Sequence, residues 1–172
     1  GSELSELAFD YAREIGGRLD TDITILHVVD PTETEFLSMH EAYVNHAAEI
    51  MNIRVGDVQR KLQRRPGRKS KQISGVTVVG YPPEEILRYA DEKDIDLIVM
   101  STHGRSGIRR WVLGSVAEKV LQASTVPVLL ARAQLAAKPP IEAWTDITII
   151  VPLDGSETAE TVLPHVQTLA KQ

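Results

Sequence analysis

Apolar residues recur at helical spacing through the first sixteen positions, with Leu4, Leu7, Ala8, Tyr11, Ala12 and Ile15 on one face. Gly16 and Gly17 predict the end of that helix, because glycine suits a left-handed cap. ITILHVVDP (23–31) is rich in β-branched residues and predicts a strand stopped by Pro31. Residues 32–38 read as a loop. A long helix is expected over about 39–63, with Ile50, Ile53 or Arg54, Val58 and Leu62 along one side. QRRPGRKSK (63–71) predicts a basic, solvated connector. ISGVTVVG (73–80) is the next strand. YPPEEILRYADEKD then opens a helix, with prolines in its first turn and Glu84 and Glu85 at its positive end. IDLIVM (95–100) predicts a strand buried on both faces. A glycine-bearing loop, STHGRSGIRRWVLGS (101–115), leads to the helix SVAEKVLQAS and the strand VPVLLAR (126–132). Beyond a linker-like stretch, ITIIVPLD (147–154) predicts another strand, and a helix is expected from Ser156 to the end.

Strands alternating with helices predict an α/β fold, a parallel sheet with helices on both faces. One phrase occurs twice: Gly1-Ser2-Glu3 and Gly155-Ser156-Glu157. The apolar positions that follow fall in register, Ala8, Phe9, Ala12 and Ile15 against Val162, Leu163, Val166 and Leu169. Both stretches therefore read as the same helix of a repeating unit, the second copy with its strand and the first without. The expectation is a piece of a longer tandem protein: a domain over 1–132, a linker over 133–146, and the first strand and helix of the next repeat over 147–172. A sheet without its first strand leaves a slot of unpaired backbone groups. ITIIVPLD is expected to fill it, in cis or by exchange with another chain. The two copies of the helix then compete for one docking site, so one of them should be displaced.

Composition narrows the classes. The 172 residues carry a net charge of −5, which argues against a general nucleic-acid binder. There is no cysteine, which excludes disulfides and thiolate catalysis. No apolar run approaches the roughly 18 residues of a membrane span, so the sequence predicts a soluble, cytoplasmic protein. Aromatics are only 5%, leaving aliphatic side chains to fill the core.

The chemistry gathers in the 101–115 loop. Gly104, Gly107 and Gly114 let backbone approach a ligand closely. The helix beginning at Ser115 offers unpaired N–H groups and a dipole that favours an anion, and Ser115 adds a hydroxyl. The loop follows the carboxyl end of a central strand, where open parallel sheets bind their ligands. Arg105, Arg109 and Arg110 add positive charge. Neither G-x-x-x-x-G-K-[ST] nor G-x-G-x-x-G occurs. His27 reads as a satisfied core histidine and Asp30 as a strand-end cap. No Ser-His-Asp set, paired carboxylates or metal-ligand spacing assembles a catalytic site.

Ser101-Thr102-His103-Gly104, nine residues and then Gly114-Ser115 resembles the nucleotide motif of the universal stress protein family, G-x-x-G-(nine residues)-G-[ST]. LHVVDP, GYPPEEIL, DLIVMSTHGRSG, LGSVAEKVLQAS, VPVLLAR and VPLDGSE look the same way. The resemblance implies a five-stranded parallel sheet in an α/β/α sandwich, of the doubly wound kind seen in adenine-nucleotide α-hydrolase-like folds. It also implies binding of ATP, ADP or AMP with Mg²⁺ beside the phosphates, and a homodimer through strand 126–132. By that resemblance Gly104, Gly114 and Ser115 contact phosphates, Ser101 lies by the ribose and Val116 near the phosphate end. Pro152, Leu153 and Asp154 line the adenine and ribose side, and Val28 packs on the base. Met100, His103 and Arg105 complete the set, His103 as a turn or ligand-packing residue. Two departures stand out: Ser101 replaces the motif's first glycine, and Asp154 belongs to the second repeat.

The reading that follows is an adenine-nucleotide-binding stress-response module, with at most slow ATP hydrolysis. The alternative is a dimerising signalling module that binds no nucleotide. A third class, an enzyme transferring AMP or hydrolysing a phosphate ester, rests on fold analogy alone. The Gly104–Gly114–Ser115 spacing favours the first; Ser101 and the shifted order favour the second.

Overall fold

The first helix, α1 (Glu3–Leu19), does not stop at its glycine pair. In the computed structural model of the protein, which describes residues 3–63, 71–102, 113–131 and 149–171, Gly16 and Gly17 lie inside α1. The left-handed residue past its end is Asp20, at φ 54°. Packing explains the pair better than capping does. A Cβ on Gly17 would stand 2.6 Å from Val58 Cγ1, and one on Gly16 would collide with Ile23 Cδ1. The glycines let α1 close on the neighbouring helix, α2 (Leu37–Lys61).

Strand β1 (Ile23–Val29) ends at Asp30, whose Oδ1 accepts from the Thr32 N–H at 2.9 Å and from the Thr32 hydroxyl at 2.6 Å. It is the strand-end cap expected. The predicted loop after it is instead a 3-10 helix over Pro31–Phe36 running directly into α2. The buried stripe of α2 is Val44, Ala47, Ala48, Met51, Val55 and Val58. Val58 lies on it as expected and Ile50 and Leu62 are half-buried, but Ile53, 64% exposed, and Arg54 are not on it. Small and β-branched residues at i, i+3, i+4 and i+7 let the helix sit low on the sheet. At Gly75 a Cβ would meet Val44 Cγ1 at 2.6 Å and the Val44 carbonyl oxygen at 2.7 Å. Ile25 completes this core, with Phe9, Ala12, Ile23, Tyr43 and Ile73 packed around it.

Strand β2 (Ile73–Val79) runs parallel to β1, Ile23 opposite Ile73 through Val29 opposite Val79. Helix α3 (Pro82–Glu92) leads to β3 (Ile98–Ser101), and α4 (Ser115–Ala123) to β4 (Val128–Ala131). β3 and β4 are parallel, Ile98 opposite Val128 through Ser101 opposite Ala131. β3 begins three residues later than predicted because the Ile95 N–H is still held by the Ala90 carbonyl behind α3. Its four residues are half-buried, not enclosed on both faces. Among the described residues the strands form two separate two-stranded ladders, β1 with β2 and β3 with β4. α2 covers β1 and β2 and packs on α1, which also touches β3 and β4; α3 packs on α4 and touches β1. β1 is thus packed by both α2 and α3, consistent with an α/β fold.

Contacts divide the chain into two compact units, Gly1–Lys138 and Pro139–Gln172. In the second, residues 149–154, where a strand was expected, are irregular. Strand conformation is held by ladder bonds, and this stretch makes none among the described residues. The helix expected from Ser156 is two helices, α5 (Glu157–Glu160) and α6 (Leu163–Ala170). Pro164, in the first turn of α6, has no N–H with which to continue α5. Among the described residues no helix is long and apolar enough to cross a membrane.

Candidate phosphate site at the start of helix α4

The carboxyl end of β3 and the amino end of α4 are tied together at the mouth of the loop between them. Thr102 donates its N–H to the Ala131 carbonyl at 2.9 Å, extending the ladder one residue beyond β3. Its own carbonyl accepts the Gly114 N–H at 2.8 Å. Gly114 is the N-cap of α4, extended at φ −64° and ψ 147°, and it brings no side-chain cap. Its carbonyl receives the first intrahelical bond, from the Glu118 N–H at 2.9 Å. The N–H groups of the first turn, from Ser115 to Ala117, are therefore the orphan donors of a helix start. Ser115 is exposed, and Ala117 and Val120 are buried beneath it. This turn is anchored through Gly114 to the end of β3 and carries the exposed Ser115, with the dipole adding partial positive charge.

Of the expected site residues, the structure brings together Ser101, Gly114, Ser115 and Val116. Met100 precedes them on β3, opposite Leu130. Val28 is near the end of β1, in the other ladder, half-buried and opposite Val78. His103, Gly104 and Arg105 lie outside the described residues, as do Arg109, Arg110 and Trp111. Pro152, Leu153 and Asp154 are exposed residues of the second unit. Asp154 Oδ1 accepts the Ser156 N–H at 2.9 Å, and Ser156 Oγ caps α5 through the Ala159 N–H at 3.1 Å. Bonding to Ser156, side chain first and then backbone, holds the Asp154 carboxyl below its ordinary value of 3.8. Asp30 is lowered in the same way by Thr32. Both are carboxylates at neutral pH.

Thr102 was not singled out in the sequence, yet its two backbone bonds position the site. A sequence carries no signal for a backbone bond whose partners are twelve or more residues apart. His27 is partnered as expected, but it is half-buried rather than in the core. Its Nε2 lies 3.0 Å from His40 Nδ1, the two rings stack at 4.8 Å, and Tyr43 meets His27 edge-on at 6.2 Å.

The sequence model of the universal stress protein family matches residues 1–132. The chain belongs to the universal stress protein family. Universal stress protein YxiE of Bacillus subtilis (strain 168) is 30% identical over 138 residues, covering 77% of this chain and 93% of that relative. Universal stress protein MJ0577 of Methanocaldococcus jannaschii is 25% identical over 146 residues, 76% of this chain and 89% of its own. Its solved structure matches with a TM-score of 0.52, covering 78% of this chain and 94% of that one. A universal stress protein solved in complex with cAMP has the same fold, at a TM-score of 0.52 and 23% identity, covering 77% and 90% of the two chains.

Proposed function

We propose that this universal stress protein binds an adenine nucleotide, with ATP as its magnesium complex the leading candidate, and acts through occupancy of the site. The observation that carries the reading is the uncapped first turn of α4, fixed to the end of β3 by the Gly114 N–H to Thr102 carbonyl bond. Phosphate oxygens placed there accept from the open N–H groups, and the Ser115 hydroxyl is in position to add one more bond. Gly114 has no side chain to obstruct the approach. Gly104 and Arg105 extend the phosphate contacts from the loop, and His103 packs beside it. Ser101 and Met100 serve the ribose end, Val28 the base, and Val116 the phosphate end. Pro152, Leu153 and Asp154 line the adenine and ribose side, with the Asp154 carboxylate accepting from ribose hydroxyls. Magnesium arrives with the phosphates and keeps most of its waters, so it requires no dedicated set of protein ligands.

The test is a calorimetric titration of Mg-ATP into protein stripped of nucleotide, with GTP and tripolyphosphate as comparisons. Saturable binding of ATP, with GTP weaker, supports the reading. Equal binding of all three reduces it to a phosphate site without base recognition. No saturable heat leaves the second reading, a dimerising module whose loop serves structure alone. Ser101, in place of the glycine of the family motif, is the feature that favours that outcome.

A further inference from the structure

Strand β1 and helix α2 meet on two apolar stripes, and each stripe carries one histidine. Side chains alternate along a strand, so His27 shares a face with Ile23, Ile25 and Val29. Ile25 is buried in the core with Val44 and Ala48, Ile23 packs against that core, and Val29 is buried. On α2, His40 stands one turn before Val44, on the stripe that continues through Ala47, Ala48 and Met51. Aliphatic residues at both positions would have packed with no polar group to satisfy. Two imidazoles stand there instead.

They face each other. His27 Nε2 lies 3.0 Å from His40 Nδ1. The ring centroids are 4.8 Å apart with 29° between the planes, and Tyr43 stands edge-on to His27 at 6.2 Å. As a hydrogen bond, this contact puts one proton between the two nitrogens, donated by one ring and accepted by the other. Both rings are half-buried, so solvent still reaches them.

The same two nitrogens are spaced as neighbouring ligands of one metal ion. With metal–nitrogen bonds of about 2.0 Å, ligands at a right angle lie about 2.8 Å apart and tetrahedral ones about 3.3 Å apart. The 3.0 Å separation then corresponds to an angle of about 97° at the ion. That is closer to the tetragonal arrangement of Cu²⁺ and Ni²⁺ than to the tetrahedral one of Zn²⁺. Imidazole suits these ions, and the chain has no cysteine to compete for them. Among the described residues no third His, Cys, Asp or Glu joins the pair in a larger ligand group, so water fills the remaining positions. The rings come from a strand and a helix already fixed by their shared core, which leaves little to be ordered when an ion arrives.

We infer that His27 and His40 form a two-imidazole site for a divalent transition ion of tetragonal preference, Cu²⁺ foremost, which replaces the shared proton and bridges β1 to the start of α2. The donor ring moves that proton to its other nitrogen, so both facing lone pairs are free for the ion. The site uses none of the residues assigned to the nucleotide, and it stands or fails apart from that reading.

The test uses the full-length chain without nucleotide, so that no phosphate competes for the ion. Substoichiometric Cu²⁺ followed by NMR should broaden the ring signals of His27 and His40 first, ahead of the exposed His46, which lies 3.8 Å from Glu49. Calorimetry should show saturable binding of one Cu²⁺ per chain. The electron paramagnetic resonance spectrum should be axial, with coupling to two imidazoles in the parent and to one in H40Q. H40Q should bind Cu²⁺ at least about tenfold more weakly, while H46Q should stay within about threefold of the parent. The broadening pattern needs no variant, so it decides the matter even where H40Q does not fold. Three results would each overturn the proposal: no saturable copper binding, broadening that begins elsewhere and spares His27 and His40, or a folded H40Q that binds as tightly as the parent.

Discussion

The Thr102 carbonyl and the Gly114 N–H meet at 2.8 Å, closing the mouth of the loop between β3 and α4. One backbone bond thereby sets where the helix starts and which way its open donors face. Gly114 has φ −64°, a value proline also adopts, so Gly114→Pro keeps the backbone angle and deletes the donor. The variant should lose about 1–2 kcal/mol of stability. Its affinity for Mg-ATP should fall at least about tenfold, if the anchored turn holds phosphate. Calorimetry together with urea unfolding separates the two effects.

Gly17 is tested against helix propensity. Alanine in a helix interior is ordinarily better than glycine by about 1 kcal/mol. Here the new methyl would sit 2.6 Å from Val58 Cγ1. Gly17→Ala should therefore destabilise, by roughly 1–3 kcal/mol. Val58→Ala in the same chain should return part of the loss. Urea midpoints of the single and double variants decide it.

The face of α2 has a similar test. Met51 is 2% exposed and Ile53 is 64% exposed. Met51→Ala should cost about 2–5 kcal/mol. Ile53→Ala should stay within about 0.5 kcal/mol. The reverse order would restore the face that the sequence suggested.

Gly75 faces backbone as well as side chain, with the Val44 carbonyl oxygen 2.7 Å from a built Cβ. A side chain can rotate away, but a carbonyl moves only with its helix. Gly75→Ala should cost more than Gly17→Ala, about 3 kcal/mol or above. Val44→Ala should rescue it incompletely. Thermal unfolding of the pair provides the measurement.

Asp30 and Asp154 give the acid response a direction. Each carboxyl is held below 3.8 by bonds from the residue two positions on, Thr32 and Ser156 respectively. A carboxyl lowered on folding contributes stability above its unfolded value, and that contribution disappears as pH falls through the lower folded value. Asp30→Asn and Asp154→Asn should differ from the parent above about pH 4 and converge with it in stronger acid. Proton titration of the two carboxyls followed by NMR would check the direction for each.

Much of this protein was legible in one dimension. β-Branched runs mark β1 and β2, and proline, acidic and glycine start signals mark α3 and α4, to within a residue or two, because these preferences act locally. Gly114-Ser115 marks the start of α4 for a local reason: the residue before a helix must leave helical angles, and Gly114 does so. Other features depended on who packs against whom. Gly16 and Gly17 look like a cap in sequence and prove to be contact points for Ile23 and Val58. In α2 the expected Val58 is buried but Ile53 is not, because Ile53 and Val55 are equally apolar and only packing decides which is inside. β3 is half-buried where its composition alone suggested enclosure. ITIIVPLD has strand composition, yet 149–154 are irregular, since a strand exists by pairing and pairing is a property of two segments. Sequence settled the local preference of most elements. Tertiary structure decided which surfaces met, because packing and ladder bonds join residues that lie far apart along the chain.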